Sequence, residues 1–236
     1  MFSIQNIFRL SWKVFKNNSI QIGILMLLTM ILYVLINMFF PFYNLSEENI
    51  SSHSWYGILI YSLLIMIIQL GIYHIAHLFT HHKKEQDYQE ALHFGIKNIL
   101  PFLGLQIILG VFITGLSLLL LVPGIIYAVY WVFAPYAFIA HGKTGMEALR
   151  YSKSLVQDNW WRVFGMLLLI SIIITVLFGI FTVIFAIVLS IFSLPSDHFI
   201  STFLFQICYI PLSLYSYLLI FYSGSLLEQE KKSQLS

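Results

Sequence analysis

Six apolar runs, each near the length a helix needs to cross a bilayer, leave this chain few choices of fold. They cover about residues 20–40, 55–79, 99–122, 124–140, 160–192 and 199–226. A helix rises about 1.5 Å per residue, so about 20 residues span a hydrocarbon core of about 30 Å. Composition agrees: 59% of the 236 residues are hydrophobic and only 9% are charged, where a soluble domain carries about 25% charge. The expected fold is therefore all-α and polytopic, a single membrane domain with no soluble catalytic domain. The first run exceeds the ~7–15 residues of a signal-peptide core and no small-residue cleavage site follows it. It reads as a retained anchor.

Charge orients these runs. The twelve Lys and Arg are Arg9, Lys13 and Lys16, then Lys83, Lys84 and Lys97, then Lys143, Arg150, Lys153 and Arg162, then Lys231 and Lys232. They fall at the N-terminus, after the second run, after the fourth, and at the C-terminus. The other three connectors hold no Lys or Arg, only Glu47, Glu48 and Asp197. With an even number of spans, the positive-inside rule places all four basic segments, and both termini, in the cytoplasm. The net charge of +2 argues nothing about nucleic acid, because the positives are spread over four juxtamembrane segments, and no nucleic-acid partner is expected. Lone Cys208 in the sixth run excludes a disulfide framework.

The chain also repeats. Residues 3–23 align with 144–164 at a constant shift, placing Ser3 on Thr144, Arg9 on Arg150, Ser11 on Ser152 and Asn18 on Asn159. A third copy starts at Asp87, with Glu90 on Glu147 and Ala91 on Ala148. Asp87 with Glu90, and Thr144 with Glu147, have the chemistry of a helix start, an N-cap oxygen followed three residues later by an acid. Each cap should open a short amphipathic helix: Ile4, Ile7, Phe8, Trp12 and Phe15 share one face, while Arg9, Lys13 and Lys16 share another. Such helices either lie in the headgroup layer or pack on one another in the cytosol. The expected architecture is six transmembrane helices as three hairpins, each preceded by a short amphipathic cytoplasmic helix. The repeat units are about 1–79, 85–141 and 144–226, with a short cytoplasmic tail at 227–236. Pro41, Pro123 and Pro195 mark the outer end of the first helix in each hairpin, while Pro135 and Pro211 should kink the returning helices and free carbonyls for neighbours to satisfy. Trp55, Trp160 and Trp161 mark span ends.

From Val122-Pro-Gly through Ala134-Pro-Tyr, Gly142-Lys, Glu147-Ala-Leu-Arg-Tyr-Ser152 and Asn159-Trp-Trp-Arg-Val-Phe-Gly165, the chain resembles a known group. It is the membrane domain attached to some bacterial glycerophosphodiester phosphodiesterases, with the related YciC-like inner-membrane proteins. The resemblance implies a six-helix protein of the bacterial cytoplasmic membrane, of largely unassigned function. It does not imply phosphodiesterase activity, which belongs to a separate soluble barrel. One position departs from the pattern: the residue before Gly142 is often acidic in that group and is His141 here.

The sharpest candidate for chemistry is His74, His77 and His81, with His82 adjacent, at the basic end of the second run. Neutral imidazoles converging at about 2 Å could hold a transition metal, with Asp87 or His93 completing the set. Three histidines along a straight helix spread over two turns, however, so an interfacial hydrogen-bonded face is the competing reading and no cofactor is expected. Within the runs, Asn37, Gln69, Gln106 and Gln206 are the polar amides, and no Asp, Glu, Lys or Arg stands mid-span, where ion-coupled transporters keep one. Tyr127, Tyr130, Trp131, Phe133, Tyr136 and Phe138 crowd the fourth run and read as packing and interface anchors. Catalytic triads, phosphate loops and paired carboxylates are absent.

These observations lead to the expectation of a protein that is not an enzyme. It should engage membrane lipids, or another membrane protein, through basic juxtamembrane helices. Arg9, Lys13, Lys16, Arg150, Lys153 and Arg162 would face lipid headgroups. A small transporter or lipid translocator is the alternative, and a membrane-embedded metalloenzyme using the histidine cluster a third.

Overall fold

The apolar runs are helical, as their length and lack of internal breakers require. The structure, a computed structural model, describes residues 4–39, 52–82, 87–191 and 198–235. Ser3, Pro41, Pro195, Lys83 and Lys84 lie outside these, as do the side chains of Asn37, Gln206 and Cys208. Among the described residues the elements are α1 (Ile4–Asn17), α2 (Ser19–Phe39), α3 (Ser52–His82), α4 (Tyr88–Leu119), α5 (Leu121–Trp131), α6 (Ala134–His141), α7 (Gly145–Val156), a 3₁₀ turn (Gln157–Asn159), α8 (Trp160–Ile191) and α9 (His198–Leu235). Six helical stretches are long and apolar enough to cross a membrane: Ser19–Ile36, Tyr56–Phe79, Tyr88–Leu118, Leu121–His141, Gly145–Ile187 and Tyr209–Gln234.

The helix starts differ from expectation in an instructive way. Asp87 caps α4, its carboxylate accepting the Gln89 N–H at 3.1 Å. The helix it opens does not stop before the third span, because it continues unbroken through Pro101 to Leu119. A single proline removes one hydrogen bond, and nothing beside it offers a competing cap. Glu90 does not fold back on its own helix start; its carboxylate stands 4.0 Å from His74. Thr144 occupies the N-cap position of α7 in extended geometry, but its side chain makes no capping bond. Between α1 and α2 only Asn18 interrupts, and hydrogen bonds from Asn18 N to Val14 O and from Ile22 N to Asn18 O carry the ladder across. The basic-end segments thus run into the apolar helices that follow with little or no linker.

Packing is concentrated at one end. Each basic-end helix lies on the helix that returned before it, in cyclic order: the start of α4 on α3, α7 on α5 and α6, and α1 on α9. Close approach needs small residues there. A Cβ at Gly95 would collide with the Ile67 carbonyl, and one at Gly71 would stand 3.0 Å from the Ala91 carbonyl oxygen. The buried core follows the same geometry, drawing Ile7 and Val14 from α1, Leu70 and Ile75 from α3, Ala148 and Leu155 from α7, and Leu218 and Phe221 from α9. In the apolar stretches of α5–α6 and α9, 50% and 56% of residues are buried, against 11% and 6% in those of α4 and α7–α8. The α3, α5–α6 and α9 helices make the inside. The others carry the outward apolar surface, Ile107, Leu168, Ile180 and Ile187 among it.

A break at Val132–Phe133 divides the fourth apolar run, two residues before Pro135, which sits in the first turn of α6. Ser152 of α7 repairs it. The Ser152 hydroxyl donates to the Tyr130 carbonyl at 2.7 Å and accepts the Phe133 N–H at 3.1 Å. Ser11, its counterpart in the repeat, is equally buried but has no hydrogen-bond partner among the described residues. Its helix, α1, packs on α9, which runs unbroken through Pro211. Ser152→Ala is therefore expected to destabilise the protein by about 2 kcal/mol, by orphaning two buried backbone groups. Ser11→Ala should stay within ~0.5 kcal/mol of wild type. Unfolding midpoints in detergent measure both, and equal losses would contradict the assignment.

Candidate functional site

The charged residues of the last helix organise the basic end. Past Leu227, α9 reads Glu228-Gln-Glu230-Lys231-Lys232, and all of it remains helical. Helical spacing turns these side chains to different neighbours. Glu228, only 6% exposed, receives the Tyr136 hydroxyl at 2.5 Å and faces His141 Nε2 at 2.9 Å and Lys232 Nζ at 2.5 Å. A carboxylate has no proton to give, so the His141 N–H points to it. The Tyr151 hydroxyl stands 2.9 Å from the same nitrogen. Lys231 reaches the Ser154 carbonyl at 2.5 Å and Asp158 at 3.1 Å, while Glu230 pairs with Arg162 at 3.2 Å. One helix end thereby ties together α6, α7, the 3₁₀ turn and α8.

Gly142 makes this possible from the other side. Its φ of 63° ends α6 in the left-handed region, and the Lys143 N–H closes back on the Ala137 carbonyl at 3.3 Å. The chain turns sharply enough to bring Tyr151 of α7 beside His141. The acid that the resemblance puts before Gly142 is absent, yet a carboxylate, that of Glu228, lies against the residue that replaces it.

Three cavities surround this cluster. One of about 350 Å³ lies between α3, α6 and α9, lined by His77, Tyr136, His141, Ser225, Glu228 and Lys232 among others. A second, about 410 Å³, is bounded by Asn6, Arg9, Leu10 and Lys13 of α1 and by Leu226. The largest, about 700 Å³, separates α5 from the start of α8. Val122, Ile125 and Ile126 form its apolar wall; Gln157, Asp158, Asn159, Trp160, Trp161 and Arg162 form the opposite one. The Trp160 Nε1–H donates to the Ile126 carbonyl at 3.3 Å and holds the two walls in register.

The sequence-derived candidates distribute around these cavities. Arg9, Lys13, Lys16, Arg150 and Lys153 are exposed, with Arg9 and Lys13 at the second cavity and Arg162 at the third. Lys153 lies over the rings of Tyr127 and Tyr130, at 5.8 and 5.6 Å from their centroids. His74 and His77 do not converge. His74 stacks on Phe94 of α4 at 4.0 Å between ring centroids, whereas His77 turns to the cavity shared with α6 and α9. Three residues of helix advance rotate a side chain by about 60° from its starting face, which suffices to send the two rings to different neighbours. The side chain of His81 lies outside the described residues, which contain no group of three His, Cys, Asp or Glu able to hold a metal. Gln69 and Gln106 line none of these three cavities.

Sequence reasoning missed the Glu228 cluster. The available signal was acids and bases alternating at helical spacing directly after an apolar run, which reads first as a solvated tail. Glu228→Gln is expected to cost about 2–3 kcal/mol in stability, since it removes the charge that His141 and Lys232 share in a nearly closed site. A double-mutant cycle with His141→Phe checks this; a coupling below ~0.5 kcal/mol would refute the pairing.

Residues 91–217, more than half of the chain, match a family described as a domain of unknown function, DUF7847. The chain belongs to this family. No curated protein and no solved structure matches it.

Proposed function

We propose that this protein is a non-catalytic, multi-pass component of the bacterial cytoplasmic membrane that engages phospholipid through its basic end, both termini lying on that side. The observation that carries the reading is the 700 Å³ groove between α5 and the start of α8. Its one wall is aliphatic. Its other wall offers an indole pair, two amides, the Asp158 carboxylate and the Arg162 guanidinium, the last two already paired with Lys231 and Glu230, so an aliphatic wall faces a polar one as a phospholipid's acyl chains and headgroup require. Trp161 is 78% exposed beside it, an amphipathic ring suited to the headgroup level.

The second groove supports the same reading with charge. Arg9 and Lys13 border it, no acid lines it, and neither cation is ion-paired among the described residues. Cations near an anionic membrane contribute about 1 kcal/mol each. Lys16, Arg150 and Lys153 extend the basic surface around that end. On this reading the resemblance to the membrane domain of glycerophosphodiester phosphodiesterases and to YciC-like proteins is one of membrane setting, not of phosphodiester chemistry.

Lipid retained through purification in mild detergent tests the proposal by mass spectrometry. Wild-type protein is expected to carry anionic phosphatidylglycerol enriched over zwitterionic phosphatidylethanolamine, relative to the membrane extract. R9Q/K13Q should lower that enrichment by about thirtyfold, as the loss of two such cations, about 2 kcal/mol together, implies. Trp161→Ala should reduce total retained lipid without changing its class ratio. Lipid composition identical in all three proteins would remove the proposal, and a co-purifying membrane protein in place of lipid would redirect it.

A further inference from the structure

The turn joining α4 to α5 has no polar side chain from residue 118 to residue 126. Its apolar groups are not packed away: Leu118 is 85% exposed, Leu120 67%, Leu121 69% and Val122 65%. The segments between α2 and α3 and between α8 and α9, by contrast, carry Glu47, Glu48 and Asp197. A hairpin that crossed a bilayer would bring its tip to water, and this tip is built for hydrocarbon.

The level of the charges says how deep it goes. The Lys153 ammonium lies over Tyr127 of α5 at 5.8 Å from the ring centroid. Trp160 is hydrogen-bonded to the Ile126 carbonyl, and Asp158 and Arg162 share a groove with Val122 itself. Both of those charges are ion-paired with the end of α9, Asp158 with Lys231 at 3.1 Å and Arg162 with Glu230 at 3.2 Å. Leu121, where α5 begins, precedes Tyr127 by six residues, about 9 Å along the axis. The hydrocarbon core is about 30 Å thick. Were the α4–α5 turn to emerge at the far face, two acids and three bases would stand deep in hydrocarbon. The α8 helix faces no such limit: it continues from Trp160 through 32 residues, about 48 Å, and pairs with α9 again where Phe178 meets Tyr209 at 6.0 Å.

We infer that the α4–α5 hairpin is re-entrant: it enters from the basic face, seats Leu118, Leu120, Leu121 and Val122 among the acyl chains of the adjacent leaflet, and turns back without reaching the far face. The α4 helix lies antiparallel and tight against α5 and α6, Phe102 against Phe138 of α6 at 5.3 Å and Phe112 against Trp131 of α5 at 5.7 Å. Gly124 allows the closest approach, since a Cβ there would stand 2.9 Å from the Ser117 Cα. Backbone polarity at the tip is limited as hydrocarbon demands. The Leu120 N–H bonds to the Leu116 carbonyl at 3.0 Å, the Gly124 N–H to the Leu120 carbonyl at 3.4 Å, and Pro123 has no N–H to satisfy. Two fully crossing pairs remain, α2–α3 and α8–α9, so every basic segment stays on one face. The wedge also makes one wall of the 700 Å³ groove, which therefore opens sideways into a single leaflet.

Single cysteines in a Cys208→Ser background test the inference in right-side-out and inverted vesicles, with a membrane-impermeant maleimide. E48C should label from one face, and K143C and Q157C from the other. L121C should label from neither, at under about a tenth of the control level, and react fully once the vesicles are dissolved in SDS. Labelling of L121C from the Glu48 face would mean the hairpin crosses. Labelling from the Lys143 face would mean it never enters the bilayer. Protection of Q157C from both faces would put the charge level inside the membrane and overturn the inference equally.

Discussion

Ion pairs that α9 makes with its neighbours hold the rest of the structure in place. Charge left in hydrocarbon is costly, and a helix that carries Glu228, Glu230, Lys231 and Lys232 directly behind an apolar run must stop being buried in lipid at that point. The same residues are also the fasteners: Glu228 to α6, Lys231 to α7 and the 3₁₀ turn, Glu230 to α8. Depth and connectivity are thus set together. Moving α9 by one turn along its axis would break the fastenings and place an acid among apolar side chains, so the helix has one register.

From that register follows a division of the molecule into a packed end and an end of exposed apolar surface. At the packed end each basic segment lies on the returning helix before it, and small residues set the spacing: Gly95 and Gly71 between α3 and α4, Gly224 against Tyr136 and Phe133 between α9 and α6. Dispersion between closely approaching helices supplies cohesion where lipid offers no hydrophobic drive. Away from it the helices share less surface, and isoleucine and leucine of α2, α4 and α8 remain exposed. Exposed apolar surface of this kind is a liability in water and the resting condition in a bilayer.

The sequence made some of this legible and hid the rest for definable reasons. Helical runs of about 20 apolar residues are a strong signal because the bilayer permits little else; the six long apolar helices were readable from them. The Ser11–Ser152 correspondence was readable too, but not that Ser152 bridges a break and Ser11 bridges nothing, because that depends on the partner helix. Capping chemistry at Asp87 was legible, and at Thr144 misleading, since a cap needs the side-chain rotamer as well as the residue type. The histidine spacing marked a face but could not say that Phe94 stacks on His74 while His77 turns away. Glu228 was invisible because its partners, Tyr136 and His141, are 92 and 87 residues distant.

The axis of the bundle bears on what such a protein can do. Between α3, α6 and α9 the cavity lined by His77, His141, Ser225, Glu228 and Lys232 also has Phe221 and Tyr136 in its wall, whose rings meet at 5.1 Å. Tyr73 closes on Phe221 at 5.8 Å and on Tyr217 at 5.9 Å, and the Tyr222 hydroxyl is committed to the Ala76 carbonyl at 2.8 Å. Among the described residues this aromatic layer packs closely, and each ring displaced to make room would forfeit buried contact. The 700 Å³ groove, with one apolar and one polar wall, is lined by Trp161 and Arg162 and by the aliphatic start of α5. A molecule that is itself half apolar can reach it from the leaflet without crossing anything. On the proposed phospholipid reading, access is lateral and requires no motion of the fastened end.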